Sequence, residues 1–214
     1  MQSNWWDVFS GQTESINGLS FTVNNQTGNN SGSGNPLGFP SIYIGSYDGK
    51  GTANSNLPKQ VSALTTVPTT YQSTATSFDT SNFNATYDVW FTSGNGLVTG
   101  SSPGGGGAYL MVWMYKPSNK QPNGNEVATA ATISGVPGYW QVWVGTSNGD
   151  PCISYVSTTP LSSFTFDLND FIKDAVSNNR GVTNSQYLSL IFGGFEIWAG
   201  ANGVSLTKFC AQVN

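Results

Sequence analysis

The chain contains no histidine. A Ser-His-Asp or Cys-His nucleophile is therefore impossible, and so are the common His-based zinc sites; no cofactor and no metal are expected. Charge is also scarce. Only 8% of the 214 residues are charged, and 7 Lys+Arg against 11 Asp+Glu leave a net charge of −4. Without a basic stripe to neutralise phosphates, nucleic acid is not expected as a partner. No apolar run is long enough to span a bilayer, and no leader with a charged start precedes an apolar stretch. The expectation is a secreted protein in its mature form, away from the membrane, with a cytoplasmic protein as the alternative. Cysteine is limited to Cys152 and Cys210. In a low-charge chain rich in Asn, Ser and Thr, this pair is expected to form one disulfide; two buried free thiols are the alternative.

What remains is carboxylate, tyrosine, lysine and hydroxyl chemistry on a folded scaffold. Aromatics reach 13%, far above what disordered chains carry. The length fits a single domain over residues 1–214. Short alternating segments separated by Gly, Asn, Pro and Ser clusters dominate: 19–23, 41–45, 87–91, 109–115, 127–133, 139–144, 153–155, 164–166, 188–192 and 204–213 read as strands. One segment departs from this period. From Asp167, apolar residues fall at Leu168, Phe171, Ile172, Ala175 and Val176, which is helical spacing, with Asp167 as N-cap and Gly181 as a stop. The pattern predicts an all-β sandwich or barrel with one α-helix at about 167–178. The stretches 26–36 and 92–107 read as long polar loops. Gly104–Gly107 lacks the Lys-Ser/Thr that a phosphate cradle requires and reads as a turn. Three Asn-x-Ser/Thr sites, at Asn25, Asn29 and Asn84, permit glycosylation in a eukaryotic source.

Glu196 is one of only three glutamates and lies near the end of a strand-like run from Tyr187 to Trp198. Phe195, Ile197 and Trp198 around it would desolvate its carboxyl, raise its pKa and keep a proton for general acid catalysis. The alternative is a surface glutamate on an alternating strand. Alternation also sorts two other segments. In 108–114, Leu110, Val112 and Met114 share a core face, and Tyr109, Met111 and Trp113 share another suited to the apolar face of a sugar. Burial of both faces between sheets is the alternative there. In 87–91, Asp88 and Trp90 fall together, opposite Tyr87, Val89 and Phe91. An aspartate in so apolar a strand needs a hydrogen-bond partner or an exposed edge.

In order along the chain, Trp6-Asp7, Val23-Asn24-Asn25, Phe39-Pro40-Ser41-Ile42-Tyr43, Tyr87-Asp88-Val89-Trp90-Phe91, Leu110-Met111-Val112-Trp113, the helix and Gly194-Phe195-Glu196-Ile197-Trp198 resemble glycoside hydrolase family 12, the endo-β-1,4-glucanases and xyloglucanases. The resemblance spans nearly the whole chain. It implies a β-jelly roll of two curved antiparallel sheets with one helix, and a monomer whose cleft binds a β-glucan polysaccharide or oligosaccharide. Hydrolysis would be retaining, by a nucleophile and an acid/base about 5–5.5 Å apart. Glu196 matches the acid/base, Asp88 the aspartate that orients the nucleophile, and Trp6, Asn25, Met111 and Trp113 substrate-binding positions. Two positions depart from the pattern. Tyr109 stands where the family's motif has the nucleophile glutamate, and Thr27 stands where it has a sugar-stacking tryptophan. The leading expectation is thus an endoglucanase scaffold with its nucleophile replaced, most simply by engineering, and weakly active or inactive. A natural glucan-binding relative without catalysis is one rival; an enzyme using Tyr109, polarised by Asp88, as nucleophile is another.

Overall fold

A computed structural model describes residues 1–78 and 82–214. Two sheets stack face to face. The smaller contains β1 (Gln12–Asn17), β2 (Ser20–Gln26), β6 (Pro68–Ser73), β13 (Ser163–Asp167) and β16 (Ser205–Ala211), in the order β1-β2-β16-β6-β13. The larger is built from β3 (Ser41–Tyr47), β4 (Lys50–Gly51), β5 (Lys59–Gln60), β8 (Ala85–Thr92), β9 (Ala108–Tyr115), β10 (Asn125–Ile133), β11 (Val136–Ser147), β12 (Asp150–Ser157) and β14 (Tyr187–Gly194). Its order is β10-β11-β12-β9-β8-β14-β3-β4, with β5 on β14. A small ribbon pairs β7 (Asn82–Phe83) with β15 (Ile197–Ala199). The expectation of wholly antiparallel sheets needs one correction: β12 runs parallel to β9, with Cys152 beside Tyr109 and Ser154 beside Met111.

Each segment read as a strand has a counterpart here; β1 and β6 are the longer additions, beside the short β4, β5, β7 and β15. β6 escaped the pattern because its buried positions are Thr69, Tyr71 and Ser73, so apolar alternation is absent. Hydrogen bonding replaces it: Thr69 Oγ1 lies 2.8 Å from Tyr87 Oη and donates to the Cys210 carbonyl at 2.7 Å.

The core between the sheets is aromatic. Phe21, Tyr71, Phe83, Tyr87, Phe166, Phe195 and Phe209 interlock mostly edge-to-face, the geometry that aligns ring edges with π faces. The helix α1 (Leu168–Ser177) closes one end. It buries Leu168, Phe171, Ile172 and Ala175 and packs Phe171 against Trp140 and Tyr155. Asp167 caps it, accepting from the backbone N–H of Asn169 at 3.0 Å and of Val67 at 2.6 Å. The turn that stops the helix falls at Asn179, with φ 53°, rather than at Gly181.

The expected Cys152–Cys210 disulfide is absent; both thiols are free. Cys152 is buried on the outward face of the larger sheet, clustered with Tyr109 and Trp90, while Cys210 is exposed on β16 of the smaller sheet. The sandwich core lies between them, so no rotamer brings the sulfurs within bonding reach. Unreduced protein should therefore titrate one thiol with Ellman's reagent when folded and two when unfolded. Fewer than two after unfolding would show a bridge.

Candidate active site

The outward face of the larger sheet forms a cleft of about 550 Å³. Its floor follows from strand alternation. On β8, Tyr87, Val89 and Phe91 turn into the sandwich, which sends Asp88 and Trp90 to the cleft. On β9, Leu110, Val112 and Met114 turn inward, leaving Tyr109, Met111 and Trp113 outward. Antiparallel pairing sets Asp88 beside Met111 and Trp90 beside Tyr109. β14 adds Phe192 next to Asp88.

Glu196 reaches the cleft by a break between two strands. The strand expected to run to Trp198 ends at Gly194, and Glu196 sits between β14 and β15. The preceding glycines are required by close approach: a Cβ on Gly193 would meet the Phe209 ring at 2.3 Å, and one on Gly194 the Pro40 carbonyl oxygen at 2.2 Å. Tyr71 Oη donates to the Gly194 carbonyl at 2.9 Å. Phe195 is wholly buried among Phe21, Tyr71 and Phe83, and the next residue accordingly faces the other way.

Asn84 then holds Glu196. Its Oδ1 accepts from the Glu196 backbone N–H at 2.9 Å, its Nδ2 donates to Glu196 Oε2, and its own N–H donates to the Glu196 carbonyl at 3.0 Å. Sequence reasoning read Asn84 only as a glycosylation site; it is fully buried and serves as the clamp for the carboxyl. No local signal marks this, because the pair is separated by 112 residues.

Two carboxylates, Asp88 and Glu196, line the cleft among the described residues. Burial pushes Glu196 up to about 7; the Asn84 hydrogen bond opposes this and the charge of Asp88 adds to it. Burial likewise pushes Asp88 up to about 7, against the indole N–H of Trp90, which donates to Oδ2 at 2.8 Å. Asp88 Oδ1 is buried with no hydrogen-bond partner. Glu196 is thus a proton donor below neutral pH, the state a general acid needs.

Asp88 bonds Trp90 through Oδ2, and its free Oδ1 makes no bond to the phenol at position 109. Tyr109 is nearly buried, edge-on to Trp90, and its hydroxyl accepts from Asn148 Nδ2 at 3.0 Å. Asn148 belongs to the Asn-Gly turn between β11 and β12, with φ 52° and 87° at Asn148 and Gly149, a backbone this dipeptide adopts readily. Burial raises the Tyr109 pKa above the ordinary phenol value; Asn148 lowers it, and the charges of Asp88, Asp150 and Cys152 raise it further. A neutral, buried phenol bound to an amide is a poor nucleophile.

The other site residues are placed unevenly. Trp6 lines the cleft, half exposed, its indole donating to Asn4 Oδ1 at 2.8 Å. Met111 lines it too. Trp113 does so only by an edge, being 2% exposed. Asn25 is exposed on β2 opposite Thr13, outside the residues that line this cleft. Thr27 exchanges hydrogen bonds with Gly11 instead of facing the cleft, its Oγ1 accepting from the Gly11 N–H at 2.9 Å.

Both cleft carboxyls ionise at higher pH in the folded chain than in the unfolded one. They therefore stabilise the fold below about pH 4, and that contribution is lost as pH climbs through about 7. At roughly 1.4 kcal/mol per pKa unit, the loss is on the order of several kcal/mol. Urea unfolding at pH 4 and pH 8 should show the Asp88→Asn/Glu196→Gln protein losing less stability than the parent over that interval. An identical pH dependence would mean the carboxyls are not desolvated. Asn84→Ala should raise the Glu196 pKa further, read by carboxyl carbon NMR, since it removes the bond that favours the carboxylate.

A model of the family described as Glycosyl hydrolase family 12 matches residues 1–214. An endoglucanase structure from Rhodothermus marinus aligns with TM-score 0.86 at 31% identity, covering 99% of this chain and 90% of that one. Xyloglucan-specific endo-β-1,4-glucanase A of Emericella nidulans is 29% identical over 199 residues, 88% of this chain and 78% of that protein. Endoglucanase A of Aspergillus kawachii is 33% identical over 175 residues, 77% of this chain and 69% of that protein. With the motifs in order, the sandwich and the carboxylate cleft, the chain belongs to glycosyl hydrolase family 12.

Proposed function

We propose that this protein binds β-1,4-glucan in the endoglucanase/xyloglucanase manner, keeps the acid/base Glu196, and hydrolyses its ligand very slowly or not at all because Tyr109 occupies the place of the nucleophile. The observation that carries this reading is the cleft floor itself. It presents aromatic and thioether side chains for a sugar chain and a protonated carboxyl for the glycosidic oxygen, while the side chain at 109 is a phenol tied to Asn148. The names of the relatives, endoglucanases and xyloglucan-specific endo-β-1,4-glucanases, support the substrate class. The same proposal has the chain acting outside the cell as a monomer.

In a retaining reaction a carboxylate attacks the anomeric carbon while the acid protonates the departing oxygen. Here Glu196 can supply the proton. Tyr109 lacks the charge, and its hydroxyl is engaged by Asn148 rather than by Asp88. A thousandfold loss in rate corresponds to about 4 kcal/mol of barrier, so this one position is enough to silence the chemistry while binding persists. The second reading, a natural glucan-binding protein without catalysis, draws on the same phenol and on Thr27, which engages Gly11 and offers no sugar platform.

Tyr109→Glu should create retaining endoglucanase activity. A glutamate there projects from the cleft face of β9, close to the unpartnered Oδ1 of Asp88. Initial rates on barley glucan and xyloglucan, with the first anomer followed by NMR, provide the test. Robust turnover by the parent with no gain from glutamate would overturn the proposal; binding without turnover in both proteins would favour the non-catalytic reading.

Trp6→Ala should weaken cellohexaose binding by about 1 kcal/mol or more through lost stacking. Calorimetry showing unchanged affinity in the folded variant would remove Trp6 from the site.

A further inference from the structure

Lys120 is the one buried lysine among the described residues, 7% exposed, and no carboxylate pairs with it there. It lies in the loop between β9 and β10. Its ammonium donates to the carbonyls of Ser31, at 2.7 Å, and Ser33, at 2.6 Å, and stands 5.1 Å from the ring centroid of Trp198. An ammonium satisfied by two carbonyl oxygens and a π face is a directional tie. Its backbone is fixed in turn, since Lys116 Nζ donates to the Lys120 carbonyl at 2.6 Å.

The 30–35 loop is fastened at the same point. Trp198 Nε1 donates to the Gly34 carbonyl at 2.9 Å, Asn30 N–H to the Trp198 carbonyl at 2.8 Å, and Asn30 Nδ2 to the Asn35 carbonyl at 2.7 Å. Both loops then contribute to the cleft walls, one through Gly34, Asn35 and Pro36 and the other through Gln121, Pro122 and Asn123. Beneath the tie, Trp198 packs on Trp113 with ring centroids 6.5 Å apart, and these rings are 3% and 2% exposed. Trp113 points toward the cleft by strand register, but at 2% exposure its ring offers a sugar almost no surface.

Resting on the glucan-binding reading above, we infer that Lys120 is a specificity-determining residue: by tying the 30–35 loop to the 116–124 loop over Trp198, it closes the Trp113 end of the cleft and restricts the glucan there to an unbranched chain. A xylosyl branch needs room beside the glucan backbone, and two lining loops locked to one another do not shift to give it.

Lys120→Met keeps the apolar stem and removes the ammonium. Two measurements read its effect: acrylamide quenching of tryptophan fluorescence without saccharide, and calorimetric affinities for cellotetraose and for a xyloglucan heptasaccharide with the same four-glucose backbone. The parent should prefer cellotetraose. In the variant quenching should rise, and the preference should fall at least about fivefold, while Lys120→Arg retains it. Should the Met form not fold, Lys120→Gln, which keeps a donor without the charge, carries the same comparison. An unchanged preference in a folded variant that still binds, or a parent that favours the heptasaccharide, overturns this inference alone. Failure of the parent to bind either saccharide would instead defeat the glucan-binding reading beneath it.

Discussion

The period-two alternation of β8, β9 and β14 is the constraint on which the rest of this molecule depends. Each of these strands is packed on both faces, one against the aromatic core and one beneath the cleft. The same step that buries Tyr87 and Val89 therefore delivers Asp88 and Trp90 outward, and the step that buries Leu110 and Val112 delivers Tyr109, Met111 and Trp113. A slip of one residue would exchange the sets and drive a carboxylate into the core, at a cost the fold could not bear. Core and cleft are thus two readings of one register.

The acid is positioned differently, by ending a strand. Gly193 and Gly194 let β14 press against the other sheet and against the Pro40 carbonyl. Phe195 anchors in the core, and Glu196 is released into the cleft where Asn84 takes hold of it. Rigid placement and desolvation come together here: the contacts that fix the carboxyl also strip water from it and leave it protonated near neutrality. Tyr109 meets the same dry surroundings with the opposite outcome. Desolvation keeps a carboxylic acid protonated and so available as a donor, whereas it holds a phenol in its unreactive neutral form.

Much of this was legible in the chain because local rules decided it. Alternation revealed the inward and outward faces of 87–91 and 109–115, helical spacing and an aspartate cap revealed α1, and flanking Phe195 and Ile197 revealed the desolvation of Glu196. β6 was hidden because its inward positions are mainly hydroxyls that bond across the sandwich. The Cys152–Cys210 bridge failed because the number and type of cysteines say nothing of which sheet each one joins. Trp113 was correctly faced yet covered, since alternation gives the direction of a side chain and not what lies on top of it.

The sequence by itself determined an all-β sandwich or barrel with the helix after Asp167, the absence of histidine chemistry and the strands that carry the site. These follow from periodicity and residue type, which act over a few neighbours. Only the tertiary structure decided that Asn84 clamps Glu196, that Asn148 takes the Tyr109 hydroxyl, that Asp88 serves Trp90, and that Lys120 reaches the carbonyls of Ser31 and Ser33. Apart from Asp88 and Trp90, those partners lie dozens of residues apart along the chain. Which polar groups meet depends on how the sheets stack and the loops close, and burial then makes each of those meetings obligatory.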